Sequence, residues 1–394
     1  MDGPLTRQLL FTLALANFVV GMGAFVVIGI IEPVASGLDV KPSTAGTLLT
    51  VYALAYAPLS PILVALTGRL GRRAVLTGGL LVFAFASLIG ALAASFEMLA
   101  SSRILAAAGA GVVTPVTSAV VAGLAPQEKR ARCLAITFLG ITLSQALGLP
   151  VGPWVAYTFG WRAALVVVVA LALCAAVLLW AVVPRGLSFQ ATSLVDLKHV
   201  LRNGRMMLAI AFSATFLAAI FVLYTYIAPL LSETMGFDRT GITTLLAVFG
   251  IGAVLGSVIG GELADRFGAG RTLLWLTALQ IAILPVYSFL PIPALLLFAW
   301  TLILSTICHS FGAAQQLRLV ELCGSQAPLA LALNASAIYI GSALGSGVGA
   351  LTISTLGLWA LGLVASGMMV IALANLHASR RFSPHPVEGL SRPS

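Results

Sequence analysis

The sequence predicts an all-α membrane protein with twelve transmembrane helices in two pseudo-symmetric six-helix bundles. Three observations predict it: ten long stretches without a charged residue, a repeat at half the chain length, and basic residues gathered into alternate loops. Composition agrees, with 60% hydrophobic and 8% charged residues over 394 positions and a mean hydropathy of +1.08. A soluble domain of this size could not cover its surface with so few charges. The +9 formal charge is accounted for by basic residues clustered on one membrane face rather than by a nucleic-acid partner.

A spanning helix needs about 20 mostly apolar residues, because the hydrocarbon core is about 30 Å thick and a helix rises about 1.5 Å per residue. Span 1 lies in the uncharged run that ends at Ile31. A cleaved leader ending at Ala14-Leu15-Ala16 is the competing reading, but its apolar core would have stopped earlier. Spans 2, 3, 5 and 7 are the runs Pro42 to Gly68, Ala74 to Phe96, Cys133 to Trp161 and Met206 to Ser232. Spans 4, 6 and 8 fall in the runs between the neighbouring charged loops. The run from Thr272 to Leu317 is 46 residues, roughly 70 Å as one helix. It must fold back as spans 9 and 10, at Leu290-Pro291-Ile292-Pro293. The run from Leu322 to Ser379 must also turn, near Gly357, giving spans 11 and 12.

With the N-terminus placed in the cytoplasm, 17 of the 21 Lys and Arg fall in cytoplasmic loops and only Lys41, Arg162 and Arg239 fall outside. That is the positive-inside pattern, so both termini are expected to be cytoplasmic. Cys133, Cys174, Cys308 and Cys323 share no metal-like spacing and read as small buried hydrophobes.

The repeat shows in the loops. Gly68-Arg69-Leu70-Gly71-Arg72-Arg73 follows span 2, and Asp265-Arg266-Phe267-Gly268-Ala269-Gly270-Arg271 follows span 8, 197 positions later. Gly148 and Gly152 of span 5 recur as Gly345 and Gly349 of span 11 at the same offset, and Pro33 and Pro229 lie 196 apart. Two parallel six-helix halves related by an axis along the membrane normal are the architecture of a rocking carrier. The expected organisation is a bundle over 1–183, a linker over 184–205, a second bundle over 206–379 and a cytoplasmic tail over 380–394. In the linker, Leu194, Leu197, Val200 and Leu201 share a helical face against Lys198, Arg202 and Arg205, which reads as an interfacial amphipathic helix.

Gly261-Glu262-Leu263-Ala264-Asp265-Arg266-Phe267-Gly268 resembles the loop signature of the major facilitator superfamily, and the resemblance covers essentially the whole chain. Within it the sequence is similar to the twelve-span drug:proton antiporters, above all their bacterial sugar-efflux and chloramphenicol-efflux branch. Phe25 to Ile31, Leu66 to Arg73, Gly148-Leu149-Pro150-Val151-Gly152, Gly160-Trp161-Arg162 and Ala332 to Ala337 carry that likeness. The resemblance implies a proton-coupled exporter of small amphiphilic, drug-like or sugar-like molecules in a bacterial inner membrane. It would work as a monomer by alternating access, with protons as counter-ion and no cofactor. An uncoupled facilitator or importer is the alternative. An enzyme is not expected, since the spans offer one His and no central acid.

Candidate site residues follow. Arg103, the one charge well inside a span, matches the arginine of the family's fourth-helix motif, with Gly109 and Gly111 after it. A buried membrane charge costs several kcal/mol and is retained for a partner or a path. Its competing reading is an arginine that snorkels or bonds helix carbonyls. The acid that related exporters carry just before Phe-Val in helix 1 is missing here, where Gly23-Ala24-Phe25 stands. Glu32 is then either a displaced proton site or a solvated helix-end carboxylate. Gly148, Gly152 and Pro153, with Gly345 and Gly349, are expected at tight helix seams. Asn17, Gln145, Tyr224, Tyr226, His309, Asn334 and Tyr339 are the substrate-contact candidates. They describe a mainly apolar cavity with a few hydrogen-bonding groups. Gly68, Arg69, Arg72, Arg73, Asp265, Arg266 and Arg271 make up the expected conformational lock. The repeat's symmetry sends Asp265 to the start of span 5 near Arg132 and Cys133.

Overall fold

The computed structural model describes residues 5–40, 42–187 and 193–381, and every regular element among them is helical. In chain order these are α1 (Arg7–Gly29), α2 (Ile31–Gly37), α3 (Pro42–Leu66), α4 (Arg72–Ala91), α5 (Phe96–Leu124), α6 (Arg130–Phe159) and α7 (Trp161–Val182). There follow α8 (Leu194–Arg202), α9 (Gly204–Tyr224), α10 (Ile227–Met235), α11 (Arg239–Phe267), α12 (Ala269–Ile283), α13 (Ala294–Cys323), α14 (Ala327–Leu356) and α15 (Leu361–Arg381). Ten stretches are long and apolar enough to cross a membrane. One of them, Ala294–Leu356, contains both α13 and α14, and the 30-residue α6 is a further helix of spanning length. Twelve spans result.

Local signals set the ends. Thr6 accepts the Leu9 N–H (3.2 Å), Ser95 that of Met98 (3.2 Å) and Asp238 that of Gly241 (2.8 Å), each satisfying a donor that a helix start leaves open. Gly160 and Gly357, again 197 apart, end α6 and α14 with φ of +88° and +91°. A side chain there would be strained, and the reversal into α7 and α15 needs that conformation. Leu290 to Pro293 separates α12 from α13 at the expected fold-back.

The two bundles share one packing plan. Helix α1 lies along α6, α3 along α5 and α4 along α7; their counterparts are α9 along α14, α11 along α13 and α12 along α15. A polar knot repeats too. Asn17 donates to the Thr137 carbonyl (3.0 Å) and accepts from Thr117 (3.3 Å), tying α1, α5 and α6. In the other half Asn334 accepts from Ser213 (2.5 Å) and from Gln315 (3.4 Å), tying α9, α13 and α14.

Close approach depends on small residues, as it does wherever helices associate without a hydrophobic driving force. Gly341, Gly345 and Gly349 of α14 lie against the Ala214, Ala218 and Val222 carbonyls of α9. Gly252, Gly256 and Gly260 of α11 lie on the backbone of α13, where Ser305 and Ser310 donate back to Phe249 and Gly256 (2.5 and 2.9 Å). Gly152 faces Val26 of α1. The side chain of Pro153 and the surroundings of Gly148 lie outside the described residues. Large apolar side chains such as Val177 and Leu351 project outward, as suits lipid.

Three features add to the sequence reading, and one, the exposure of Cys174, corrects it. The first span does not run unbroken to Ile31: α1 ends at Gly29 and α2 begins at Ile31. The seventh breaks in the same place of the repeat, at Thr225 and Tyr226. Apolar continuity reports immersion in lipid, not helix continuity. Leu197 and Val200 of α8 are buried, while Leu194 and Leu201 are about half exposed (51% and 49%), so the packed face is narrower than the apolar stripe. Cys174 is exposed on α7, whereas the other three cysteines are buried, because a lipid-facing helix side is as apolar as a packed one. The α8 cap is a reciprocal Ser193–Asp196 box, and bonds from the Ser193 hydroxyl and N–H hold the Asp196 carboxyl below its ordinary range. Linker residues 188–192 and the tail beyond Arg381 lie outside the described residues.

Candidate functional site

Two seams join the bundles, α3 against α14 and α6 against α11, again a symmetric pair. Helix α3 carries Tyr52 and Tyr56 four residues apart, hence on one face. Tyr339 of α14 packs on both, with ring centroids 6.1 Å from Tyr52 and 4.8 Å from Tyr56. Just beyond it Ser336 donates to the Ala57 carbonyl (2.6 Å). In the other seam the Thr142 and Ser257 hydroxyls meet at 3.1 Å.

Arg103 reaches the first seam from α5. Its Nη2 donates to the Gly23 carbonyl of α1 at 2.7 Å, and its guanidinium lies 5.1 Å from the centroid of the Tyr52 ring. The next residue of α1 is Ala24, which offers no acid. Here the guanidinium meets backbone instead, and Nε is buried with no acceptor. The side chain of Glu32 lies outside the described residues.

A second aromatic cluster sits in the other half. Tyr224 stacks on Phe249 at 4.6 Å, and His309 stands edge-on to Phe249 at 5.5 Å. The His309 Nδ1 lies 3.0 Å from the Ser305 carbonyl. Tyr224, His309 and Tyr339 therefore fall in two clusters, not in one cavity lining. Tyr226 spends its hydroxyl on the Ser346 carbonyl (2.9 Å), and Asn17 and Asn334 sit in the polar knots. The side chain of Gln145 lies outside the described residues. Tyr52 and Tyr56 were missed from sequence, although two phenols four apart on one apolar helix were a readable sign.

Asn17 gives a direct test of packing against substrate contact. Asn17→Leu keeps the shape and removes two interhelical bonds, so stability should fall by about 0.5–2 kcal/mol. Thermal unfolding in detergent reads that loss while transport persists. Unchanged stability with lost transport would put Asn17 on the substrate path.

Most Lys and Arg lie at one end of the bundles, and there Asp265 bridges the two bundles. Its two carboxylate oxygens accept the N–H groups of Ala131 (2.8 Å) and Arg132 (2.9 Å), at the open N-terminus of α6. Arg132 does not add a side-chain bond to Asp265: its guanidinium turns to Glu262 at 3.5 Å, an exposed pair worth little. Gly261 packs on the backbone of Arg132, and Gly312 of α13 on the Phe138 ring. The Arg72 N–H donates to the Leu187 carbonyl (3.1 Å), and Arg73 lies over the Trp180 ring (4.2 Å). Gly68 is buried in its turn; Arg69, Arg266 and Arg271 are exposed, with Arg266 5.6 Å from the Phe267 ring. Where the first half lacks its acid, linker helix α8 packs on both α3 and α14.

Comparison with known proteins fits these features. The model of the Major Facilitator Superfamily matches residues 13–322 and 227–394. The uncharacterized MFS-type transporter YtbD of Bacillus subtilis (strain 168) is 30% identical, over 92% of this chain and 93% of that protein. A chloramphenicol resistance protein of Streptomyces lividans is 29% identical, over 92% of this chain and 95% of its own length. The proton:xylose symporter XylE superposes with a TM-score of 0.76 at 17% identity, over 96% of this chain and 95% of that one, which speaks to fold alone. The chain belongs to the major facilitator superfamily. It is a membrane transporter, and its relatives are consistent with the drug:proton antiporter branch that its motifs resemble.

Proposed function

We propose that the protein is a secondary active exporter that carries small amphiphilic molecules, chloramphenicol-like or sugar-like, out of a bacterial cell by alternating access. The basic face is cytoplasmic, with both termini there, and the membrane is the inner one. The units 1–183 and 206–379 rock about the two seams while 184–205 tethers them, and 380–394 lies on the cytoplasmic side. One observation carries this reading: the bonds between halves, from Asp265 through Thr142–Ser257 to Ser336 and Tyr339, lie between mid-depth and the basic face. That arrangement is a carrier closed toward the cytoplasm, and parting the same contacts would give the opposite state.

Proton antiport is the driving reaction of this proposal, with Arg103 as the coupling residue. The test is export of chloramphenicol and a panel of amphiphiles from proteoliposomes, with and without a proton gradient. Uphill export that collapses with the gradient supports antiport. Arg103→Lys keeps the charge but loses the planar fork, so uphill export should fall more than downhill flux. Equal losses would favour a packing role.

A second reading, an uncoupled facilitator, is favoured by the acids. Among the described side chains every carboxylate lies near a helix end or in a loop: Asp39, Glu97, Glu128, Asp196, Glu233, Asp238, Glu262, Asp265 and Glu321. Flux indifferent to the proton gradient would select it.

A further inference from the structure

We infer that the Tyr52–Tyr56–Tyr339–Arg103 seam binds an organic monoanion: a single carboxylate or similar oxyanion on an apolar, ring-sized body. This rests on the reading of the seam as the region a carrier opens and closes, and it names the substrate class of that region.

Charge comes first. Arg103 is 2% exposed in the interior of α5, and no carboxylate among the described residues pairs with it. A lone cation at that depth is expensive unless something of opposite charge reaches it for part of the cycle. One Nη2–H goes to a neutral carbonyl, which cannot neutralise the charge. The Nε–H is buried without an acceptor, although buried donors are nearly always paired.

Chemistry narrows the class. Three phenols and one guanidinium converge within ring-contact distance, with centroids at 4.8 to 6.1 Å and the cation 5.1 Å from Tyr52. Guanidinium N–H groups only donate, and phenol O–H groups donate readily. A donor-rich set around one positive charge suits an oxyanion and repels a cation. One guanidinium matches one negative charge, so a dianion would keep an uncompensated charge. The ring faces supply apolar walls for the body, and Phe83 packs against α1 beside Gly23.

Position supplies the mechanism. Tyr52, Tyr56 and Arg103 belong to one half and Tyr339 to the other, so parting the seam withdraws Tyr339 from the two rings it covers. The anion would then meet the guanidinium and the α3 hydroxyls, and closing would return Tyr339 as the last wall.

The test uses full-length protein in nanodiscs and three probes of one shape: 1-naphthoate, 1-naphthamide and 1-naphthylmethylammonium. Naphthoate should bind at least about tenfold tighter than the amide, the scale of one charge-assisted hydrogen bond, and the ammonium weakest. Arg103→Gln should bring naphthoate down to the amide's affinity. Because that variant also gives up the Gly23 bond, Tyr56→Phe serves as a second probe. It keeps the ring and the packing, and should weaken naphthoate by about three- to tenfold while leaving the amide unchanged. Equal binding of naphthoate and amide by the unmodified protein, binding of none of the three, or parallel losses of all three in Tyr56→Phe would each overturn the assignment. The carrier reading is judged separately, by disulfide cross-links between Phe138→Cys and Gly312→Cys. If the cross-link leaves flux intact, rocking fails; if it blocks flux while naphthoate shows no preference, only the anion assignment fails.

Discussion

Asp265→Asn is expected to shift the carrier toward the state open on its basic face, by roughly five- to thirtyfold in population. The carboxylate accepts two backbone N–H groups, at 2.8 and 2.9 Å, from the first turn of a 30-residue helix. An anion there gains from the helix dipole and from two charge-assisted bonds. Asparagine keeps one acceptor oxygen and turns an NH2 toward an N–H, so it loses both charge and one bond. Partial burial pushes the Asp265 carboxyl up from its ordinary range against these two bonds, and that desolvation holds the loss to about 1–2 kcal/mol. The contacts join one half to the other and, in the proposed rocking cycle, part when the basic face opens, so the loss falls on one state alone. Maleimide labelling of Phe138→Cys, beside Gly312 across the seam and in a background without the native cysteines, reads the shift. A labelling rate unchanged by Asp265→Asn would remove Asp265 as a lock. The companion change, Gly68→Asp, should slow labelling if a carboxylate in the first half finds the start of α14. The packing of α8 on both α3 and α14 stands at that place already.

Which parts of this were readable in advance follows from what polarity can and cannot encode. Charge-free runs and a 197-residue offset gave the twelve spans and the two bundles, because lipid tolerates no charge and a repeat preserves spacing. The same offset reappears between Thr137 and Asn334 in the polar knots. Arg103 was legible as the single interior charge. Its partner was not, since a backbone carbonyl leaves no mark in sequence. Side-chain facing was the weakest part. When every face of a helix is apolar, periodicity no longer separates packed from lipid-facing positions, so Cys174 was misplaced and Tyr52 and Tyr56 passed unnoticed. The breaks at Ile30 and at Thr225 were hidden for the same reason. Sequence shows the polarity of Asn17 and Asn334 and not the carbonyl or hydroxyl that each bonds.

Gly345→Ala should cost about 1–3 kcal/mol or more, the range for forcing a methyl into a packed interior, while Gly347→Ala on the same helix should be nearly neutral. A β-carbon at Gly345 would fall on the Ala218 carbonyl oxygen of α9, well inside van der Waals contact. That neighbour is backbone and has no rotamer through which to withdraw. Gly341 and Gly349 repeat the arrangement one turn to either side, the latter with the Val222 oxygen at 2.7 Å, so the helices would have to separate along the whole seam. At Gly347 a β-carbon would meet nothing within 4 Å, and alanine is at least as good a helix former as glycine. The seam lies inside one bundle, whose contacts stay together in the proposed rocking cycle. Damage at Gly345 should therefore appear as a lower unfolding temperature and a smaller folded yield, with the labelling of Phe138→Cys unaltered in whatever protein folds. Equal stability of the two alanine variants would mean that α9 and α14 do not approach as closely as drawn. A changed labelling rate in Gly345→Ala would mean that this seam moves in the cycle, and that the rigid-half picture fails on that side.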